Sequence, residues 1–361
     1  MKQFQVRKDD FSRSRLVDSG SSTPLNDGEI RAKISRFAFT ANNVTYAAAA
    51  DMVGYWQFFP PVGDDTESWG VIPVWGFAQI VESRNENVPV EQRIFGYLPP
   101  ANELVMAPKS FAEHSFIDGV AHRSALPAGY NLYRHVSAEP ADNAPSEDER
   151  MLLWPLFITS FCLWDALKVK DWYGAKRIVI ICASSKTSIG TAYALHDDNA
   201  APAVVGLTSA RNQKMVESLG LYDSCMTYDD LAKLDASIPT VIVDMSGNSE
   251  LLGRLHKLLG ENMKFCVNVG ITHWDAAGGN PDIIADRSEF FFAPAHIQMR
   301  IKDWGSEGFD ARTARFFAST VERCRGWLTF RHLAGLNALE QVYPNVCAGN
   351  MAPDEGLVIV L

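Results

Sequence analysis

The chain has 361 residues, more than one compact core normally holds, so two domains are expected. Hydrophobic residues make up 47 % and charged residues 21 %, which excludes a chain dominated by disorder. The net charge of −10 argues against a general nucleic-acid binder, which needs a basic surface to displace counterions, yet leaves room for a local anion site.

The opening, MKQFQVRKDDFSRSRL, is charged throughout and lacks the apolar stretch of a signal peptide. No apolar run is expected to reach the ~20 residues that cross a bilayer, so a cytoplasmic protein with no membrane partner is expected. To about residue 110 the chain reads as β-rich. GEIRAKISRFAFT and WGVIPVWGFAQIVES carry strand patterns, and QRIFGYLPPANELVMAP gives two short strands around a Pro-Pro turn. Many short strands with such punctuation predict a small barrel. From 111 to 150 prolines, aromatics and an acidic run predict a long surface insertion. It ends at Ser146 and Glu149, whose spacing is that of a capping box ahead of the helix MLLWPLFITSFCLWDAL.

From there strand and helix alternate: RIVIICA, SIGTAYALHDD, APAVVGLT, ARNQKMVESLG, SCMTYD, TVIVDM, ELLGRLHKLLG, KFCVNVG. That alternation predicts a doubly wound parallel sheet, and the continuously apolar strands fit one covered on both faces. After about 286 come helices and a last strand, GLVIVL. The six cysteines are scattered without a CxxC pair, so neither a disulfide framework nor a zinc site is expected.

The first βα turn, Ala183-Ser184-Ser185-Lys186-Thr187-Ser188 before Gly190, holds hydroxyls where phosphate-binding turns usually hold glycines. A helix N-terminus favours anions. Ser184, Ser185, Thr187 and Ser188 can donate to phosphate oxygens and Lys186 adds a cation, while Gly190 allows close helix–strand packing. The same serines would also serve simply to cap the helix. The second strand ends in GLTSARNQK, with no carboxylate where an NAD site places one. Thr208, Ser209, Arg211 and Lys214 suit a 2′-phosphate instead, which favours NADP(H).

LNDGEIRAKISRFAFTANNVTYAAA, RIFGYLPP and VIVDMSGN with LLGENMKFCVNVGIT resemble the zinc-free quinone oxidoreductase and enoyl reductase branch of the medium-chain dehydrogenase/reductase superfamily. More narrowly, HRSALPAGYNLYR, MLLWPLFITSF, CASSKTSIG, FFFAPAHIQMRIKDWGSEGF and PDEGLVIVL resemble the DUF2855 family. The resemblance implies a GroES-like catalytic barrel over 1–150 and 286–361, with the insertion at 111–150. It also implies a Rossmann-like domain over 151–285. It further implies a small carbonyl or enone substrate bound in the cleft between the domains. Asn43 and Tyr46 would reach that substrate, or else serve as a helix cap and a packed ring; Thr159, Ser160, Gly270 and Thr272 would lie near the nicotinamide. Zinc-dependent relatives use cysteine and histidine in the first domain, and the first 110 residues contain neither, so no metal is expected. Tyr130, Tyr133 and Arg134 in the insertion are further candidates: a proton donor and a carboxylate clamp, or staples for a long loop. Arg300 and Trp304, four apart on one helical face, would either close the cleft or form a cation–π pair that stabilises the C-terminal return. A non-redox lyase or retro-aldolase, and a non-catalytic dinucleotide-binding protein, are the competing readings. Dimers are common among the resembling proteins, which leaves homodimerisation as an expectation.

Overall fold

The computed structural model describes residues 1–20, 23–136, 144–270 and 280–361. They form two compact units, Met1–Leu152 with Cys324–Leu361, and Leu153–Arg323. The sequence boundary near 286 differs from this division. The long helix that follows it belongs to the second unit, because Phe309 packs there against Phe161 and Cys162.

In the first unit β1 (Lys2–Arg7) pairs antiparallel with β2 (Ser14–Asp18). The charged opening therefore folds as a hairpin, with Phe4 and Val6 fully buried and their alternates Gln3 and Gln5 buried as well, so that Lys2 and Arg7 are left at the two ends of β1. The strand β3 (Ile30–Phe39) leads into α1 (Ala41–Ala48) and the single turn α2 (Ala50–Val53). Then come β4 (Trp69–Gly70), β5 (Val74–Ser83), β6 (Arg93–Leu98) and β7 (Glu103–Met106). The expected surface insertion is only in part a loop. It contributes β8 (Pro108–Ala112), β9 (Ser115–Asp118) and β10 (Leu132–His135) to the sheet, because Phe116 and Tyr133 bury completely on one face.

The second unit is built on α3 (Glu147–Val169), whose first turn lies in the first unit. Its capping box forms as expected: Ser146 N–H donates to Glu149 Oε2 at 2.7 Å, and Glu149 N–H to Ser146 Oγ at 3.2 Å. By length and composition this helix is long and apolar enough to cross a membrane, contrary to the expectation that no such run exists. Leu163 and Leu167 on it are packed into a protein core with Ile178, Ile180 and Val243. Next come β11 (Arg177–Ile181), α4 (Lys186–His196), β12 (Ala203–Thr208), α5 (Gln213–Ser218), β13 (Ser224–Thr227) and β14 (Thr240–Asp244). They are followed by α6 (Ser249–Leu259), β15 (Met263–Asn268) and β16 (Ser288–Phe290). All these strands pair in parallel in the order β13-β12-β11-β14-β15-β16, the doubly wound sheet read from the sequence. Alternate residues feed two cores. Ile242 and Ile181 face α6, and Val241 and Val243 face α3 and α4.

Helix α7 (Ala293–Cys324) is broken at Gly305, where φ is +72°. Arg300 stacks on Trp304 at 4.6 Å, as the spacing predicts, and also binds the buried Asp165 together with His296. The chain then returns to the first unit through β17 (Thr329–Ala334), α8 (Gly335–Cys347) and β18 (Glu355–Val360). Among the described residues the first unit pairs as a nine-stranded sheet, β17-β18-β3-β5-β6-β10-β9-β8 with β7 also on β3, beside a three-stranded sheet β2-β1-β4. The end strands β17 and β8 are not paired to each other, so the expected small barrel is present as a sheet with two free ends.

Candidate functional site

The first βα turn is shaped by its own hydroxyls. Ser185 caps α4, its Oγ accepting from Ser188 N–H at 3.1 Å, and Ser188 Oγ donates to Cys182 O at 2.8 Å. Cys182 takes φ +65°, a left-handed conformation that costs a non-glycine residue about 1–2 kcal/mol. These bonds hold the strand-to-helix turn tight without glycine and consume the hydroxyls of Ser185 and Ser188. Thr187 O accepts from Ser160 Oγ at 2.8 Å, so Ser160 ties α3 to the turn. Thr159 Oγ1 donates to Pro155 O at 3.1 Å within its own helix. Gly190 is indispensable sterically. A Cβ there would stand 2.6 Å from both Phe157 Cδ1 and Ser160 Oγ.

Beyond the turn lies a second set of polar groups. Ser184 Oγ accepts from Asn212 Nδ2 at 3.0 Å and lies 3.3 Å from Thr208 Oγ1, which leaves its own hydrogen for a further acceptor. Ser209 Oγ is buried and has no partner. Arg211 stands exposed on the turn after β12, and Lys214 is exposed in the first turn of α5. Burial and Asp244 push the Cys182 thiol up, while the Arg211 guanidinium acts in the opposite direction. The charge of Arg211 therefore reaches the first turn. Two hydroxyls with unspent hydrogen-bonding capacity, a helix N-terminus and a cation together fit a phosphate-bearing ligand.

The late strands add a close approach. A Cβ on Gly270 would meet Met245 O at 2.7 Å and Gly247 N at 2.8 Å, so the turns after β14 and β15 touch through backbone. Thr272 lies outside the described residues.

In the first unit the candidates separate. Asn43 completes a capping box with Thr40: Thr40 N–H donates to Asn43 Oδ1 at 2.7 Å, and Asn43 Nδ2 donates to Pro73 O at 2.9 Å. Both ends of its side chain serve the fold. Tyr133 is fully buried, stacked on Phe116, and its hydroxyl donates to Tyr97 O at 2.6 Å. Arg134 follows it on the opposite face of β10; burial, with the Arg134 charge adding to it, lowers Arg150 to about 10. Tyr133 and Arg134 therefore do not converge.

Tyr46 and Tyr130 do belong to one cluster. Tyr46 packs on Tyr55 at 4.8 Å and on Tyr97 at 5.8 Å, Tyr97 on Tyr130 at 4.6 Å, and Trp75 closes against Tyr97 at 5.3 Å. The hydroxyls of Tyr55 and Tyr130 lie 3.0 Å apart, and the Tyr97 hydroxyl is buried without a partner. Burial, reinforced by neighbouring phenols, pushes all four well above the ordinary tyrosine value. Each is a protonated donor at neutral pH and a poor base. The loop bearing Tyr130 is anchored by a buried Arg123–Asp118 ion pair and by Asn131, whose Nδ2 donates to Arg123 O at 3.0 Å. Tyr55, Tyr97 and Asn212 had no sequence signal of their own: they enter because other residues place them.

Among the described residues no three His, Cys, Asp or Glu side chains are grouped to hold a metal ion.

Similar folds are found among solved structures. CurA from Vibrio vulnificus in complex with NADPH has a TM-score of 0.63 at 13 % identity, covering 100 % of this chain and 99 % of that one. A quinone oxidoreductase from Coxiella burnetii has 0.57 at 13 % identity, with 100 % and 99 % covered. TarJ from S. aureus in complex with NADPH has 0.55 at 8 % identity, with 99 % and 98 % covered. No curated protein matches the sequence. The model of the family described as protein of unknown function (DUF2855) matches residues 37–352. The chain belongs to the DUF2855 family.

Proposed function

We propose that the protein is an NADP(H)-dependent, zinc-free oxidoreductase acting on a small carbonyl or enone compound. The observation that carries this reading is the end of β12: Ser209 with a buried, unpartnered hydroxyl, Thr208 beside it, Arg211 and Lys214 following, and no carboxylate. A 2′-phosphate would satisfy that hydroxyl and sit beside the positive charge of Arg211 and Lys214, a site with no carboxylate to hold the bare ribose of NADH. That CurA and TarJ, with the same fold, were crystallised with NADPH supports the choice.

When bound, the dinucleotide supplies or accepts hydride. The remaining tasks fall to side chains. Lys186 and the first turn of α4 would neutralise the pyrophosphate. In the tyrosine cluster, the Tyr55–Tyr130 pair has two hydroxyl hydrogens and spends one between its members. The other would polarise a substrate oxygen and supply its proton. Tyr46 and the rings around it would present an apolar, aromatic wall.

The test is titration of the protein with NADPH and NADH, followed by a panel of carbonyl and enone compounds monitored at the nicotinamide absorbance band. NADPH binding with substrate-dependent loss of absorbance is expected. Product formation without any absorbance change would move the protein to the lyases. Tight NADPH binding with no turnover would make it a dinucleotide-binding protein.

A further inference from the structure

Strand order in the second unit changes direction between β11 and β14: the chain builds outward through β12 and β13, then returns to the other side of β11. Ligands of such sheets sit beyond the carboxyl ends at that point. Asp244 closes β14 there, in register with Ile181 of β11 and Asn268 of β15. The residue is completely buried. Its Oδ1 accepts from Ser246 N–H at 2.8 Å and from Ser246 Oγ at 2.7 Å. Its Oδ2 is equally buried and has no donor. A buried carboxylate oxygen left unsatisfied is costly, so its retention calls for a partner that arrives from outside. Gly247 N–H also approaches this carboxyl and, with Ser246, favours its charged form, yet no donor of the chain completes a hydrogen bond to Oδ2. Cys182, Tyr228 and Cys266 are the titratable groups that feel its charge, and none donates to Oδ2.

Residues at the end of β12 suit the phosphorylated ribose, and the first turn of α4 suits the pyrophosphate. Since β14 lies on the far side of β11 from β12, Asp244 falls on the nicotinamide side of that line. We propose that Asp244 Oδ2 accepts a hydrogen bond from the nicotinamide half of the dinucleotide, through a ribose hydroxyl or the carboxamide. The carboxylate missing from the end of β12 thus has a counterpart one strand beyond β11. This inference rests on the dinucleotide reading above.

Calorimetric titration of the full chain with NADP+ and with 2′,5′-ADP, which lacks the nicotinamide half, separates the two. Asp244→Asn is expected to weaken NADP+ about tenfold, the size of one hydrogen bond to a charged acceptor, and to leave 2′,5′-ADP unchanged. Equal weakening of both ligands, or no change in either, would overturn the role of Asp244 alone. If neither ligand binds the unaltered protein, the dinucleotide reading falls and this proposal with it. Should the variant not fold, the unaltered protein gives the answer. The ratio of NADP+ to 2′,5′-ADP affinity should drop as pH is lowered from neutrality into the ordinary carboxylate range, because burial raises the Asp244 carboxyl and a protonated Oδ2 loses its acceptor strength. The 2′-phosphate titrates in both ligands and cancels, and Cys182, Tyr228 and Cys266 stay protonated throughout because burial pushes each of them up. A constant ratio would overturn the proposal.

Discussion

At the first βα turn the hydroxyls divide their work: Ser185 and Ser188 build the turn, while Ser184 and Ser209 keep hydrogen-bonding capacity unspent. The sequence shows which residue types are there, but not this division, because it depends on which oxygen each N–H meets. Gly190, by contrast, was legible from its place on the helix after a buried strand. Gly190→Ala should cost about 1–3 kcal/mol of stability by forcing Phe157 and Ser160 aside, measured as a lower denaturation midpoint with unchanged slope. His256 tests a buried charge. Burial, with the Arg287 charge, lowers it from 6.5 to about 4, and its Nδ1 accepts from Ile284 N–H at 2.9 Å. A folded pKa below the unfolded one means the neutral form is the stable one. The contribution is fully present above about pH 6.5 and is lost as pH falls towards 4. The unaltered protein should therefore lose stability across that window more steeply than His256→Gln, followed by thermal melts at several pH values.

Among elements, the parallel sheet and its helices follow the sequence closely, since long apolar runs separated by capped helices leave little choice of topology. The segment 111–150 misleads because its strands β9 and β10 are four residues each, too short for periodicity to rise above its prolines. What fixes that segment is a buried ion pair that no spacing rule reveals. Arg123→Met leaves Asp118 as a buried, uncompensated charge and should cost about 3–5 kcal/mol. Arg123→Met with Asp118→Asn should recover part of it in a double-mutant cycle. The hairpin of β1 and β2 was hidden by the charges at its ends and in its turn, Lys2, Arg7 and Lys8 to Asp10, around a strand that is buried on both faces.

For the whole molecule, an acidic chain that grips a polyanion must do so with a local set of cations, and such attraction is screened by salt. NADPH affinity should therefore fall more steeply than NADH affinity between low and physiological ionic strength. The fold class and the family were readable from motifs scattered over most of the chain. The tyrosine cluster was only half readable, because Tyr46 and Tyr130 lie 84 positions apart and are joined through Tyr55 and Tyr97. The central claim, that hydroxyls and cations at the ends of β11 and β12 select the phosphorylated dinucleotide, has one direct measurement. It is calorimetric titration of NADPH and NADH into the unaltered protein and into the Lys186→Ala, Arg211→Ala double variant. The account predicts NADPH at least about tenfold tighter than NADH, with the preference abolished in the variant; equal affinities in the unaltered protein, or a preference that survives both substitutions, would contradict it.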